Sequence, residues 1–520
     1  MREEDTSVPI LPQPRRIEVG AGRHPVADVL SRLTDASESS LGPEAYRIEV
    51  RSDQAEVRAA GPRGFRHARA LLDELADAHG GVVPDLLVED APVLARRGII
   101  EGFYGEPWSH AERLAALRLA GRLRMNSYVY APKDDPYHRE RWRDPYPDRE
   151  LSLLVELARE GERHGVDVVV ALHPAGSMVF SDDGEHELLA AKARQLLAAG
   201  VPDVALLFDD VPPTPANDAD RAHFGDDGRA LGEAHALAAR RFQAALAGSR
   251  ASNELLVVPM DYAGVGASDY RIAFAAGLPD DVLVWWTGRD IVVGEITRGD
   301  IDAAAEVFGD RLLLWDNFPV NDFDRGRAFL GPLLGRTAEV QGSALRGAWT
   351  NPMVEFAPGC FGIAAFADWA WNPAAYDPAR AARAALRIVA GAQAAALAPL
   401  VETLSSWPPS APMDPELAAL VAAALDGRED AAGELRARFE RWRRLGEIDT
   451  ADEPARSLAP WLRAAADMGA AGLAALELRQ GAASVQRAHV EAALARAEAH
   501  SAKVATDVVP PFVRRVLDAA

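Results

Sequence analysis

The sequence predicts a (β/α)₈ barrel, the TIM barrel of the α/β class, with a small N-terminal α/β domain before it and a C-terminal all-helical domain after it. Three observations support this prediction. Eight apolar strand-like runs alternate with helical segments in the middle of the chain, short strands and one helix precede them, and strand-like runs cease near residue 376. We therefore expect domains at residues 1–94, 95–375 and 376–520.

The N-terminal domain is predicted from four strand-like runs and one helical run. The helical run is GFRHARALLDELADA, in which apolar residues recur every three or four positions. The short SDQ turn separates two of the strands. In chain order the strand-like runs are RRIEVG, YRIEV, AEVRAA and DLLVED. Nothing in this domain resembles an active site.

The barrel is predicted from runs that are almost continuously apolar, as expected of parallel strands covered by helices on one face and packed on the other. Amphipathic segments such as HAERLAALRLAGRL and LSLLVELAREGERHG lie between them. In chain order the eight runs are RRGIIEGFYG, MNSYVYAPKDD, VDVVVALHPA, VALLFDDV, ELLVVPMDY, DVLVWWTG, RLLLWDNFPV and LRGAWTNPM.

The C-terminal domain is predicted from a change of composition. After about residue 376 the chain becomes rich in Ala, Leu, Arg and Glu, as in AGELRARFERWRRLG and RAHVEAALARAEAH. This composition, with apolar residues at helical spacing, indicates a helical bundle. If the chain forms a homodimer, this domain is where we expect the interface.

Composition and charge narrow the class of partner. The 520 residues are 48% hydrophobic and 26% charged, which is typical of globular proteins of more than one domain. The 56 basic and 78 acidic residues give a net charge of −22. Because this charge repels phosphate backbones and anionic membranes, we expect no nucleic-acid partner and no membrane association.

Cysteine usage and the first residues bear on compartment. Cys360 is the single cysteine, which excludes internal disulfides and thiolate metal clusters. The opening MREEDTSVPILPQPRR lacks an apolar core of signal-peptide length, and no later stretch approaches the roughly 18 apolar residues that span a bilayer. The sequence as given predicts a cytoplasmic protein, or a secreted one if a leader has been removed.

Polar and aromatic residues gather where the eight predicted strands end, and barrel enzymes carry their active sites at these ends. Carboxylates, amides and indoles around one mouth suit a neutral ring with many hydroxyl groups, because hydroxyls need hydrogen bonds and the C–H face of a sugar packs on aromatic rings. The strand-end residues include Glu101, Gly102, Tyr104, Lys133, Asp135, His173, Asp209, Asp210, Asp261, Tyr262, Thr287, Trp315, Asp316, Asn317, Asp322 and Asn351.

Asp209 and Asp210 stand out because they are adjacent at the end of one buried strand. Like charges brought close together raise the pKa of one of them, so that a proton can be held for transfer to a leaving oxygen. Adjacent aspartates at one strand end project from the same side of the barrel. The second carboxylate is therefore poorly placed to act as the nucleophile, because the two carboxylates of a usual retaining enzyme flank the sugar. Substrate-assisted hydrolysis, in which the sugar's 2-acetamido oxygen attacks C1, resolves this difficulty.

Six motifs lie in order across the predicted barrel: RRGIIEGFYGEPWS, YVYAPKDDPYHRERWR, LLFDDV, WWTG, LLLWDNFPVNDFD and TNPM. Together they resemble glycoside hydrolase family 84, the retaining β-N-acetylglucosaminidases that include O-GlcNAcases and some hyaluronidases. The resemblance implies an exo-acting hexosaminidase that removes terminal β-linked GlcNAc, such as O-GlcNAc on Ser or Thr of glycoproteins, through an oxazoline intermediate and without a metal or other cofactor.

The resemblance implies roles for individual residues. Asp209 would orient and polarise the acetamide, Asp210 would be the general acid that later activates water, and Tyr262 would bond near the acetamide and the anomeric centre. The other implied contacts are walls of the N-acetyl pocket at Thr287 and Trp315, an amide beside the acetamide at Asn317, a carboxylate for the 4- and 6-hydroxyls at Asp322, and groups for the remaining hydroxyls at Gly102, Lys133 and Asn351.

Two alternatives stay open. The same chemistry would serve a hyaluronidase-type or chitin-fragment hexosaminidase, because the loops PPTPANDADRAHFGDD and PAGSMVFSDDGEH, which would shape the aglycone side, match no pattern we can assign. A non-catalytic glycan-binding protein is the other alternative. The intact pair of Asp209 and Asp210 argues against it.

Overall fold

The computed structural model describes residues 10–52, 54–481 and 486–520. The expectations for the first nine residues, and for Asp53 in the SDQ turn, lie outside the described residues.

The chain divides into two compact units, and the domain boundaries expected from the sequence stay a prediction. The first unit comprises Met1–Phe318, Gly335–Asn351 and Phe366–Asp377, and the second comprises Pro319–Leu334, Pro352–Ala365 and Pro378–Ala520.

The N-terminal part of the first unit is a sheet with the strand order β1-β5-β3-β4-β2 over the described residues up to 90. All four predicted strands and the predicted helix are present. One helix and one strand were missed, α1 and β2, because β2 has no buried side chain and α1 has one, Val29, so neither shows a clear apolar period. The bounds are β1 Arg16–Pro25, α1 Val26–Arg32, β2 Leu33–Ser37, β3 Tyr46–Val50, β4 Ala55–Ala59, α2 Pro62–Ala78 and β5 Val82–Asp90.

The core of this sheet is formed by alternate residues of its strands and one stripe of α2. Ile48 and Val57 are fully buried and face Leu71 and Leu75 of the helix in one cluster. Period-two burial on a strand and spacing of three or four on a helix are the patterns that the sequence showed. The helix begins with Pro62, whose fixed φ suits the first helical turn.

The middle of the chain forms a closed barrel of eight parallel strands between residues 96 and 350, as predicted. Strand β13 pairs with β6, and β9 pairs with β10, so the strands close in chain order. The bounds are β6 Arg96–Glu101, β7 Ser127–Tyr130, β8 Asp167–Leu172, β9 Asp203–Leu207, β10 Leu255–Val258, β11 Val282–Trp286, β12 Leu312–Asp316 and β13 Leu345–Thr350.

Helices follow the barrel strands, and several of them start and stop on clear local signals. Ser109 caps α3 in a capping box with Glu112, and Gly165 ends α4 with a left-handed φ of 74°. The bounds are α3 His110–Arg122, α4 Asp148–His164, α5 Asp183–Ala199, α6 Asp218–Phe224, α7 Ala230–Ala245, α8 Asp269–Gly277, α9 Arg298–Phe308 and α10 Phe356–Trp371, with a 3₁₀ turn at Gly309–Arg311.

The barrel interior is filled by side chains from every strand. Ile100, Val129, Leu207, Leu256 and Trp285 belong to one buried cluster that runs through it. A packed interior leaves no pore, so polar side chains reach solvent only where the strands end. An active site on this barrel therefore lies at one of its ends.

The second unit contains the helices of the C-terminal region. Its longest helix, α15, packs closely enough against α14 that a Cβ on Gly472 would lie 2.4 Å from the ring of Phe439. The bounds are α11 Pro378–Ala390, α12 Ala394–Thr403, α13 Pro415–Leu425, α14 Glu429–Leu445, α15 Ala455–Arg479, α16 Arg487–Glu498 and α17 Val509–Ala519.

One segment of this unit corrects a sequence expectation. By length and composition alone, Pro378–Thr403 could cross a membrane. Its most apolar stretch of 18 residues has a mean hydropathy of 1.6, and 33% of that stretch is buried. The expectation that no stretch approaches this threshold is wrong here, because alanines raise the mean hydropathy although each buries little area. The segment consists of α11 and α12 joined by a 3₁₀ turn at Gly391–Gln393.

Candidate active site

The aspartate pair lies just beyond the end of β9. Phe208 extends the strand by donating its N–H to the carbonyl oxygen of Val258, at 2.9 Å. The Asp209 side chain is 7% exposed and the Asp210 side chain 29%. Asp210 has a left-handed φ of 54°, a conformation that non-glycine residues adopt mostly at turns and functional sites. The backbone therefore changes direction between a buried carboxyl and an accessible one.

Lys133, from the loop after β7, bridges the pair. Its ammonium donates to Oδ2 of Asp209 in a buried ion pair and lies 3.7 Å from Oδ2 of Asp210. Burial alone would lower the pKa of Lys133, but the two carboxylates raise it. The residue expected to reach a sugar hydroxyl is therefore also the counter-ion of the aspartates.

Two buried histidines pack behind Asp209. Nε2 of His173 lies 2.7 Å from the carbonyl oxygen of Asp209 and 3.5 Å from its Oδ1. Burial lowers the pKa of His173 and of His138, whose ring lies edge-on to it with centroids 6.0 Å apart. A neutral His173 then donates Nε2–H to the Asp209 backbone, which fixes the position of the aspartate.

The charge of Asp209 is set by its neighbours in the fold. Burial works to raise the pKa of the Asp209 carboxyl, but the Lys133 ammonium outweighs it and holds that pKa well below its usual range. The sequence predicted a raised pKa for one of the two aspartates, and Asp209, with the Lys133 ammonium beside it, is not that one. Asp209 is therefore an ionised carboxylate across the neutral pH range.

One oxygen of Asp209 is left for a ligand. Its Oδ1 is buried and has no hydrogen-bond partner in the described part of the chain, whereas Oδ2 is held by Lys133. A buried carboxylate oxygen without a donor costs free energy on the order of 1–3 kcal/mol or more. Such an oxygen is suited to accept an N–H from a bound molecule.

Two phenols orient Asp210. Tyr262, from the loop after β10, donates its hydroxyl to Oδ1 at 3.0 Å, and Tyr104, after β6, donates to Oδ2 at 2.6 Å. Burial, together with the neighbouring aspartate charge, raises the pKa of both phenols, so they remain proton donors. The Asp210 carboxyl is thus held in one direction.

A chain of hydrogen bonds links four of the other predicted site residues. Oδ1 of Asn317 accepts from Nε1 of Trp315 at 2.9 Å and from Nδ2 of Asn351 at 2.8 Å. Oδ1 of Asn351 in turn accepts from the backbone N–H of Gly102 at 3.3 Å. A Cβ on Gly102 would lie 2.3 Å from the Trp315 ring, so only glycine lets the indole lie against this backbone. The residues form a prearranged wall at the ends of β6, β12 and β13.

Thr287 is buried at the end of β11. Its backbone N–H donates to the carbonyl oxygen of Tyr262 at 3.1 Å, and its hydroxyl donates to the carbonyl oxygen of Asp290 at 3.0 Å. Thr287 therefore ties the loop that carries Tyr262 to the next strand.

Four other strand-end carboxylates are paired with protein groups. Each has protein partners that account for its charge or its lone pairs, so these residues support the barrel ends. The pairs are Glu101 with Arg113 at 2.7 Å, Asp316 with Arg336 at 2.7 Å, Asp261 with Arg271 at 2.9 Å, and Asp135 with the hydroxyls of Tyr130 and Tyr146, each at 3.0 Å.

Asp322 belongs to the second compact unit, where it is partly buried. Its expected grip on the 4- and 6-hydroxyls stays a prediction. Tyr104 and His173 stand at strand ends but were not among the predicted site residues. Their position at strand ends was the only indication in the sequence of a role in the site. Their contacts with Asp210 and Asp209 join segments that are distant in sequence.

Within the described ranges, no group of three or more His, Cys, Asp or Glu side chains is arranged to hold a metal ion. The expectation of a reaction without a metal or other cofactor stays a prediction.

Comparison with known proteins decides the family. A family profile described as beta-N-acetylglucosaminidase matches residues 97–402, which is more than half of the chain. The chain belongs to this β-N-acetylglucosaminidase family. The sequence-based assignment to glycoside hydrolase family 84 is confirmed, as is the class of enzyme, a glycoside hydrolase. Residues 10–91 match the second domain of glycosyl hydrolase family 20.

Individual relatives agree with this family. The chain is 31% identical over 278 residues to Protein O-GlcNAcase of Rattus norvegicus and of Mus musculus, a match that covers 52% of the chain and 29% of each relative. The match thus spans less than a third of the length of these curated relatives. Among solved structures, a mutant of Thermobaculum terrenum O-GlcNAc hydrolase matches with a TM-score of 0.74, 26% identity and coverage of 82% of this chain and 95% of that one. CpGH84B, at 24% identity, shares the fold with a TM-score of 0.85 over 98% of this chain and 100% of its own.

Proposed function

We propose that this family member is a retaining exo-β-N-acetylglucosaminidase that removes terminal β-linked GlcNAc, with O-GlcNAc on Ser or Thr of glycoproteins as the substrate class. The observation that carries the proposal is the free Oδ1 of Asp209, a buried carboxylate oxygen beside an ammonium that keeps it ionised. Its natural donor is the amide N–H of a 2-acetamido group. The names of the rat, mouse and Thermobaculum relatives support the same substrate class.

The first step forms an oxazoline. Asp209 accepts the acetamide N–H, which directs the acetamide oxygen at C1 and increases its electron density. The bond from that oxygen to C1 forms while the bond from C1 to the aglycone oxygen breaks. Asp210 gives its proton to the departing oxygen, so the aglycone leaves as a neutral alcohol.

The second step reverses the proton transfer. The Asp210 carboxylate accepts a proton from a water molecule whose oxygen attacks C1, and the oxazoline ring opens to restore the acetamide. Two displacements at C1 give net retention of the β configuration. Tyr262 and Tyr104 hold the Asp210 carboxyl in place for both transfers.

The remaining expectations belong with this proposal. We propose that Trp315, Asn317 and Thr287 bound the acetamide and that Gly102 and Asn351 lie beside the sugar ring. A homodimer through the helical region and a cytoplasmic location stay predictions.

Paired substrates test the function. The purified chain should hydrolyse an aryl β-N-acetylglucosaminide and leave the matching aryl β-glucoside, which lacks the acetamide, almost untouched. The first-formed sugar, followed by NMR, should be the β anomer. Equal turnover of the two glycosides, or an α product, would overturn the proposal.

A further inference from the structure

A cleft of about 620 Å³ lies beside Asp210 within the first unit. It is lined by Asp210 and Tyr262 and by parts of the loops that follow β9, β10 and β11, whereas Asp209 does not line it. This inference rests on the proposed function. If Asp210 gives its proton to the leaving oxygen, the group attached to that oxygen must lie on the Asp210 side, which is where the cleft opens.

The lining is partly apolar. Val211, Pro213, Met260 and Ile291 contribute to it, and Ile291 is 49% exposed. An exposed large aliphatic side chain at the rim of a cleft favours contact with apolar parts of a ligand. The aliphatic stems of neighbouring amino acids in a polypeptide would supply such parts.

The charge of the lining has one sign. Asp210, Asp261 and Asp269 line the cleft, and no Lys, Arg or His is among the lining residues that the structure describes. Asp261 is neutralised by Arg271 at 2.9 Å. Asp269 is exposed, and its carboxylate has no ion pair or hydrogen bond within the described part of the chain.

Nearby cations are held elsewhere. The Arg271 guanidinium is occupied by Asp261 and also donates to the carbonyl oxygen of Gly266 at 2.7 Å. Arg289, two residues before Ile291, is paired with Asp300. Arg139 does not line the cleft and lies 3.4 Å from the hydroxyl of Tyr104. Lys133 lies 3.7 Å from Oδ2 of Asp210. The uncompensated negative charge that the cleft presents to its ligand is therefore that of Asp269.

We infer that this cleft is the leaving-group subsite and that it selects neutral or basic polypeptide around the glycosylated residue over anionic aglycones. A uronic acid, as in an acidic polysaccharide, or a peptide with Glu beside the glycosylated Ser would meet like charge there. An exposed charge pair contributes about 0.2–1 kcal/mol, which corresponds to about 1.4- to 5-fold in kcat/KM. The inference argues against the hyaluronidase-type alternative.

Three glycopeptides test it. They share one GlcNAc-Ser and differ only in the flanking residues, which are Lys, Gln or Glu, so the leaving alcohol is the same in each. At low salt kcat/KM should fall in the order Lys, Gln, Glu, by about 1.4- to 5-fold per step, and 0.5 M salt should compress the series. Equal values for the three peptides, or the reverse order, would overturn the inference.

Variants assign the effect to the cleft. Asp269→Asn should reduce the ratio between the Lys and Glu peptides. Asp148→Asn makes the same change at the first residue of another helix outside the lining, and should leave the ratio unchanged. An equal loss of the ratio in both variants would contradict a role for Asp269 in the subsite.

An aryl β-N-acetylglucosaminide separates the two proposals. Hydrolysis of the aryl glycoside but of none of the peptides would overturn the inference and leave the proposed chemistry standing. Failure with all substrates would overturn the proposed function and the inference together.

Discussion

The ammonium of Lys133 contacts Oδ2 of Asp209 across the mouth of the barrel, although the two residues are 76 positions apart in sequence. This contact explains how a nearly inaccessible carboxyl remains ionised. It also leaves Oδ1 of the same carboxyl open, because the ammonium occupies only one oxygen.

Lys133→Met should make activity more sensitive to acid. Without the ammonium, burial is the dominant influence on Asp209 and raises its pKa, so the protonated form persists to higher pH. A protonated carboxyl is a weaker acceptor for the amide N–H of the substrate. The acid limb of the kcat/KM profile for an aryl β-N-acetylglucosaminide should shift to higher pH. Lys503→Met, which removes a lysine paired with Asp324 at 2.8 Å in the second unit, is the control. An unshifted acid limb in Lys133→Met would show that this ion pair does not set the charge of Asp209.

Tyr262→Phe should lower kcat by about tenfold to a hundredfold, because Asp210 loses a bond that directs it and small misplacements of a catalytic group have costs of this size. The thermal midpoint should change little, since Asp210 keeps Tyr104 and access to water. Steady-state kinetics and thermal melting measure both. Tyr146→Phe, which also removes a hydroxyl bonded to an aspartate but away from the site, should preserve kcat. Loss of kcat in both variants alike would point to a structural cause.

Gly102→Ala should weaken substrate binding. The added Cβ would lie 2.3 Å from the Trp315 ring, so the indole or the backbone must move, at a cost of about 1–3 kcal/mol. We expect KM to rise and the thermal midpoint to fall. Gly176→Ala is the matched control, because nothing lies within 4 Å of a Cβ built there. Wild-type kinetics in Gly102→Ala would mean that the wall formed by Trp315 is not part of the sugar site.

Glu74→Gln should remove a pH-dependent loss of stability from the N-terminal part of the first unit. Burial raises the pKa of Glu74 to about 7, against about 4.3 in an unfolded chain. Between these values the folded state binds more protons than the unfolded state, so its stability falls as pH rises and is level above pH 7. From pH 4 to pH 8 the free energy of unfolding of Glu74→Gln, relative to wild type, should increase by roughly 3 kcal/mol.

Denaturant unfolding at several pH values measures this difference. The exposed Glu306→Gln serves as the control, and its difference from wild type should not vary with pH in this way. A constant offset between wild type and Glu74→Gln at all pH values would show that this carboxyl does not take up a proton on folding.

The sequence predicted the barrel well because its strands are buried on both faces and are therefore apolar throughout. Once the strand ends were known, the general rule that barrel chemistry lies at those ends led to Asp209 and Asp210. The same reasoning could not rank Glu101 or Asp316 below them. Arg113 and Arg336 neutralise the charges of these two carboxylates through tertiary contacts, which no local sequence pattern shows.

The electrostatic prediction was incomplete for a related reason. Adjacency of Asp209 and Asp210 was visible in the sequence and suggested a raised pKa for one of them, but the position of Lys133, which lowers the pKa of Asp209, was not visible. Strand β2 was missed because its side chains alternate too weakly between buried and exposed. Contacts between distant segments, and elements with little burial, are what a single sequence specifies least.

The central claim is that the substrate's acetamide is the nucleophile and that Asp209 directs it. The most direct measurement is kcat/KM for aryl β-glycosides whose 2-acetamido group carries zero, one, two or three fluorine atoms. Fluorine withdraws electron density from the attacking oxygen, so the account predicts a steep fall across the series. A flat series, or a covalent ester trapped between the enzyme and the sugar, would contradict it.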